Sequence, residues 1–208
     1  MTLLDAPSIK VIFFDLGFTL INYEGDFYQG INNSYAALAG SLVNLGIPIK
    51  IDAFTRKFDQ IISEYYRTRE IDLIERPVER YLDQTLAFFG YENVSEETIQ
   101  SALTEMYKET EAQWQIEPDA IRTLEILKEQ GYRLGLITNA ANSPDSNRLI
   151  DKFNLRRFFD AILISADEKI RKPDTRIYNR ALKRMNVKPD EAVMVGDTLT
   201  ADILGAQN

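Results

Sequence analysis

Apolar positions along the chain fall into two rhythms. In four short runs they are packed almost without interruption: Ile9 to Phe14, "LGLIT" from Leu134 to Thr138, "AILIS" from Ala161 to Ser165 and "AVMVGD" from Ala192 to Asp197. Such dense, β-branched runs are the pattern of strands buried on both faces, so they predict a parallel sheet. Helical spacing surrounds them. Pro118 stands where a first-turn proline belongs, Ile121, Leu124 and Leu127 share one face, and Gly131 follows as a stop. From Asp174 to Met185, directly after Lys172-Pro173, the residues Ile177, Tyr178, Ala181, Leu182 and Met185 form one stripe. Alternating strand and helix predicts an α/β fold, a Rossmann-like core with right-handed crossovers.

From Ile21 to about Ala112 the rhythm is helical throughout. Ile31, Tyr35, Leu38, Leu42 and Leu45 mark a first helix; Phe54, Phe58, Ile61, Ile62 and Tyr65 mark a second. Val78, Leu82, Leu86 and Phe89 mark a third, and Ser95 with Glu96 and Glu97 opens a fourth through Ile99, Leu103 and Met106. The expected organisation is a core domain built from residues 1–20 and 114–208, interrupted by a helical domain at 21–113. The interruption follows the strand that ends in Asp15. Ligands of open α/β sheets bind beyond the carboxyl ends of the strands, so the insertion is expected to act as a lid.

Composition narrows the chemistry. A chain of 208 residues with formal net charge -8 has no overall field to recruit nucleic acid or an anionic membrane. No apolar run reaches the roughly 18 residues of a membrane span, and "MTLLDAPSIK" lacks the basic start and apolar middle of a leader. The expectation is a cytoplasmic protein. Cysteine and histidine are both absent, which excludes thiol nucleophiles, zinc sites of the Cys/His kind and every triad with an imidazole base. Carboxylates, hydroxyls, amides, Lys and Arg must do the work.

In a parallel arrangement the strand ends bring Asp15, Thr138 with Asn139, Ser165 and Asp197 to one edge of the sheet. A carboxylate there can serve as a nucleophile, and an aspartyl-phosphate is one standard outcome. Asp15, Asp197 and Asp202 together make the hard oxygen site that suits Mg²⁺. Lys172 can neutralise phosphate oxygens, and Thr138 can donate a hydrogen bond to them. Taken singly, each residue has a plainer reading: Asp15 as a turn residue or cap, Thr138-Asn139 as a turn, Lys172 as a solvated lysine, Asp197 as a helix cap and Asp202 on an exposed helix face. In the insertion, Tyr65, Tyr66, Arg67 and Arg69 form an aromatic and basic cluster, read as core aromatics with solvated arginines.

The segments "FFDLGFTL", "LGLITNA", "KPDTRIY" and "VMVGDTLTAD", in this order, resemble the four motifs of the haloacid dehalogenase superfamily, in the subfamily with a helical cap inserted after the first motif. The resemblance covers Ile9 to Leu20 and about Pro118 to Ala206. It implies Asp15 as nucleophile and Mg²⁺ ligand, Thr138, Asn139 and Lys172 as the residues that hold the phosphoryl group, and Asp197 and Asp202 as completing the metal site. Phosphatases of the family usually carry Asp at the position of Gly17, as a general acid and base whose carbonyl also binds the metal. Gly17 retains only the carbonyl. The implied activity is a Mg²⁺-dependent phosphatase acting on a small phosphorylated substrate. Alternatives are a metal-independent 2-haloacid dehalogenase, a silent binding protein on the same fold and, more remotely, a phosphonatase. The resemblance also implies a further strand and helix beyond Asn208.

Overall fold

A computed structural model describes residues 8–208. The reading of the first ten residues as carrying no leader falls, through Pro7, outside the described residues. The chain divides into two compact units: one contains the chain through Asn22, Leu73–Glu75 and Gln115–Asn208, and the other contains Tyr23–Asp72 and Arg76–Trp114. The short Leu73–Glu75 segment, which the expected boundaries place in the insertion, packs within the first unit.

The first unit holds a parallel sheet of β1 (Val11–Phe14), β4 (Arg133–Thr138), β5 (Ala161–Ile164) and β6 (Ala192–Val195). The strand order is β5-β4-β1-β6. Phe14 pairs with Leu136 on one side and Val195 on the other, so the residues that follow these strands emerge at a common edge. α5 (Ala120–Glu129), α6 (Ser143–Lys152), α7 (Ser165–Glu168) and α8 (Thr175–Met185) connect them. Val11, Phe13, Ile137 and Leu163 pack against Ile177, Tyr178, Ala181 and Met185, which is the stripe expected of α8, with Leu182 at its partly buried margin.

Four details differ from the sequence-based expectation. Pro118 lies before the N-cap Asp119 rather than in the first turn of α5. Ile9 and Lys10 precede β1. Ser165 opens α7 instead of ending β5. Finally, β6 is an edge strand, so Val193 and Val195 remain 40% exposed although their run reads as buried on both faces.

Close packing across the sheet explains Gly135. A Cβ there would lie 2.5 Å from the Phe13 ring of the adjacent strand. Gly135→Ala is expected to cost about 1–3 kcal/mol through overpacking. Denaturant titration checks this, and an unchanged midpoint would mean that the Phe13 ring yields freely.

The second unit is helical. α1 (Phe27–Asn44), α2 (Ile51–Asp72), α3 (Val78–Phe88) and α4 (Glu96–Glu111) occupy the four predicted stretches. Leu38, Leu42, Phe54, Phe58, Leu82, Leu86 and Leu103 are fully buried among them. Asp26 caps α1 and Ser95 caps α4, each accepting a hydrogen bond from a backbone N–H. The chain passes between the units through β2 (Ile21–Tyr23) and β3 (Trp114–Ile116), which form a two-stranded sheet. Among the described residues, no helix is long and apolar enough to cross a membrane.

Candidate active site

The carboxyl edge of the β-sheet gathers the charged side chains into one group. Asp15 leaves β1 with its backbone N–H bonded to Val195 O, which locks the first residue beyond β1 to the last residue of β6. Beyond it the chain turns tightly: Leu20 and Ile21 both donate to Leu16 O, and Phe18, at a left-handed φ of 55°, donates to Ile21 O. Gly17 sits half-buried within this turn.

One carboxylate oxygen from each of Asp15, Asp197 and Asp202 lies within 4.8 Å of the others. Lys172 is set among them, its Nζ 2.9 Å from Asp15 Oδ1 and 2.6 Å from Asp202 Oδ1. Neither the Lys172 nor the Asp202 side chain reaches solvent appreciably, with exposures of 1% and 0%. The plainer readings of a solvated lysine and an aspartate on an exposed helix face are thereby corrected. Both groups are tertiary partners across distant parts of the chain, which no local pattern reveals. Burial holds the Asp15 carboxyl above the ordinary carboxylate range; the Lys172 ammonium acts the other way, and the Asp202 charge pushes it up again.

Asp202 is aimed by an unusual turn. Leu199–Leu204 is a single π-helical turn, a form that recurs at functional sites. The second oxygen of Asp202 accepts from Thr198 N at 3.0 Å, while Thr198 Oγ1 donates to Asp197 Oδ2 at 3.4 Å. Gly196 leaves the room that Asp202 occupies, because a Cβ there would meet the Asp202 carboxyl group. Tyr178 donates its hydroxyl to Ala201 O, and burial together with the Asp202 and Asp15 charges raises its pKa, keeping the phenol protonated.

Thr138 closes β4 and is buried. Asn139 makes a reciprocal pair with the main chain of Lys172: its Nδ2 donates to Lys172 O at 2.9 Å, and Lys172 N donates to its Oδ1 at 2.8 Å. This engagement suits positioning of Lys172 rather than the direct substrate contact expected for Asn139. The Lys172-Pro173 peptide is cis. Ser165 lies beside the same loop, accepting from Ala140 N at 2.8 Å. Sequence reasoning missed Glu75 and Arg171, which border this network. Arg171 stands next to Lys172 in the sequence, but Glu75 carries no local signal because it lies between two predicted helices.

In the helical unit, Arg69 lies 4.0 Å above the Tyr66 ring, and Tyr65 stacks on Tyr81 at 4.4 Å. Tyr65 is buried and Arg67 pairs with Glu64 on the surface, as the core-and-surface reading expects, whereas Tyr66 is exposed and Arg69 is partly covered.

Three carboxylates and one ammonium leave two negative charges in excess, on hard oxygen donors. That set fits a divalent cation such as Mg²⁺, which prefers oxygen ligands and partial hydration.

The family model for haloacid dehalogenase-like hydrolases matches residues 9–208, and the chain belongs to that family. It is therefore an enzyme of the hydrolase class. A glyceraldehyde 3-phosphate phosphatase from Pyrococcus furiosus is 32% identical over 96% of this chain and 77% of its own length. An N-acylneuraminate-9-phosphatase from Mus musculus is 26% identical over 96% of this chain and 79% of its own. Among solved structures, a 2-haloacid dehalogenase from Pseudomonas syringae pv. tomato superposes with a TM-score of 0.66, at 30% identity, covering 96% of this chain and 82% of that one.

Proposed function

We propose that the protein is a cytoplasmic, Mg²⁺-dependent phosphatase that hydrolyses a small phosphorylated metabolite through an aspartyl-phosphate on Asp15. The observation that carries this reading is the cluster of Asp15, Asp197 and Asp202, two of which, Asp15 and Asp202, share the buried ammonium of Lys172. The phosphatase names of two relatives support it.

Asp15, Asp197 and Asp202, with the Gly17 carbonyl, are the groups that would hold Mg²⁺; the ion would supply charge neutralisation at the phosphoryl oxygens. Asp15 forms the new P–O bond as the ester P–O bond breaks, and water then releases orthophosphate and restores the carboxylate. Lys172 offers its ammonium to the transferring oxygens, and Thr138 offers its hydroxyl. Phosphoryl transfer depends mainly on such positioning and charge stabilisation. No carboxyl group at position 17 protonates the departing oxygen, so leaving groups that need no proton are favoured.

Hydrolysis of acetyl phosphate and p-nitrophenyl phosphate is expected with Mg²⁺ and is expected to vanish with EDTA. Turnover that survives EDTA contradicts the metal-dependent reading. Gly17→Asp is expected to speed alkyl phosphates by on the order of 10²-fold or more, the scale of general acid catalysis, with little change for acetyl phosphate. An equal gain on both substrates would mean that position 17 acts other than through a proton. The dehalogenase reading draws on the solved relative and on Gly17, but a metal-free displacement needs one carboxylate as nucleophile and gives Asp197 and Asp202 no cation to hold. Halide release from a 2-haloacid in EDTA would favour it instead.

A further inference from the structure

Glu75 is a charged residue in the segment joining α2 to α3, yet its side chain is completely buried in the first unit. Its Oε2 accepts a hydrogen bond from Ser165 Oγ at 2.8 Å and lies 3.8 Å from Arg171 Nε, itself nearly buried. Arg171 N in turn donates to Leu73 O at 3.1 Å, so both ends of Leu73–Glu75 engage the same loop.

A buried carboxylate is costly unless its partners are well placed. These partners are the immediate supports of the phosphoryl-holding residues. Ser165 Oγ carries one hydrogen and faces two acceptors, Glu75 Oε2 at 2.8 Å and Ala140 O at 3.2 Å. The Glu75 contact is the shorter of the two. Glu75 therefore takes the hydrogen, leaving a lone pair for Ala140 N–H at 2.8 Å. Ala140 lies two residues after Thr138, and Asn139 between them grips the backbone of Lys172. Arg171 adjoins Lys172 directly.

We propose that Glu75 is a positioning residue for catalysis: through Ser165 and Arg171 it holds the Thr138–Ala140 turn and the Lys172 backbone in the register that receives a phosphoryl group. The inference rests on the phosphatase reading of the site. Without Glu75, the Ser165 hydrogen turns toward Ala140 O, and the turn loses its fixed acceptor.

The test uses the Mg²⁺-loaded protein, with orthophosphate as a competitive probe and the exchange rate of the Ala140 amide as a second readout. Glu75→Ala and Ser165→Ala are each expected to weaken orthophosphate and raise KM by on the order of tenfold to 100-fold, the range a displacement of about 1 Å produces. Both are expected to speed Ala140 exchange. The double variant is expected to be no worse than either single one, because the two residues act as one unit. Glu75→Gln keeps an acceptor for Ser165 and is expected to recover most of the affinity. Unchanged orthophosphate affinity and Ala140 exchange in folded Glu75→Ala overturn the proposal, as do fully additive effects. Should Glu75→Ala fail to fold, Ser165→Ala decides by the same two readouts. A wild-type protein with no phosphatase activity would overturn the phosphatase reading, while Ala140 exchange would still judge Glu75.

Discussion

Asp15→Asn is expected to abolish turnover, by on the order of 10⁴-fold or more, the scale seen when a nucleophile is removed from a site whose members act as a unit. The substitution keeps the shape of the side chain, and Asp202 still pairs with Lys172 at 2.6 Å. It also removes a carboxylate that burial and the Asp202 charge disfavour. The variant is therefore expected to melt no lower than the wild type when no metal is present. Activity and Tm measured on the same preparation check both halves. A residual rate within tenfold of wild type would place the nucleophile elsewhere.

The second large effect concerns Lys172. Lys172→Met leaves Asp15 and Asp202 as buried neighbours without their shared ammonium. Removing one partner from a buried ionic group costs about 3–5 kcal/mol, because the remaining charge is uncompensated. Mg²⁺ is expected to recover much of this, since a ligand at about 100 times its Kd stabilises by about 2.7 kcal/mol. Catalysis is not expected to return with stability. In the proposed reaction Lys172 also supplies charge to the transferring oxygens, and loss of one such donor is expected to cost about 10²–10³-fold. Thermal melts with and without Mg²⁺, beside kcat measurements, separate the two roles. A metal-free variant as stable as the wild type would contradict the burial argument.

The sheet was legible because its strands are dense apolar runs that survive any reading frame. The insertion was legible because Leu38, Leu42, Phe54, Phe58 and Leu82 recur at helical spacing and are buried. What stayed hidden was short or tertiary. β2 and β3 have three residues each, too few for a period to show. α6 is polar overall and buries only two apolar side chains, Leu149 and Ile150, so no apolar stripe repeats along it, although Asn142 and Pro144 mark its start. The meeting of Asp15 and Asp197 followed from parallel strand ends, whereas the turn that aims Asp202 and the seat of Lys172 between two carboxylates did not. Glu75 was the least legible, because its burial depends on a connecting segment packing within the first unit.

Covalent catalysis by Asp15 requires a phosphorylated form of that side chain, which a rapid quench can trap. Turnover of acetyl phosphate with Mg²⁺, quenched rapidly in acid and followed by peptide mass analysis, is expected to find a phosphoryl group on Asp15. Full turnover with Asp15 unmodified at every quench time, or with the phosphoryl group on another residue, would contradict it.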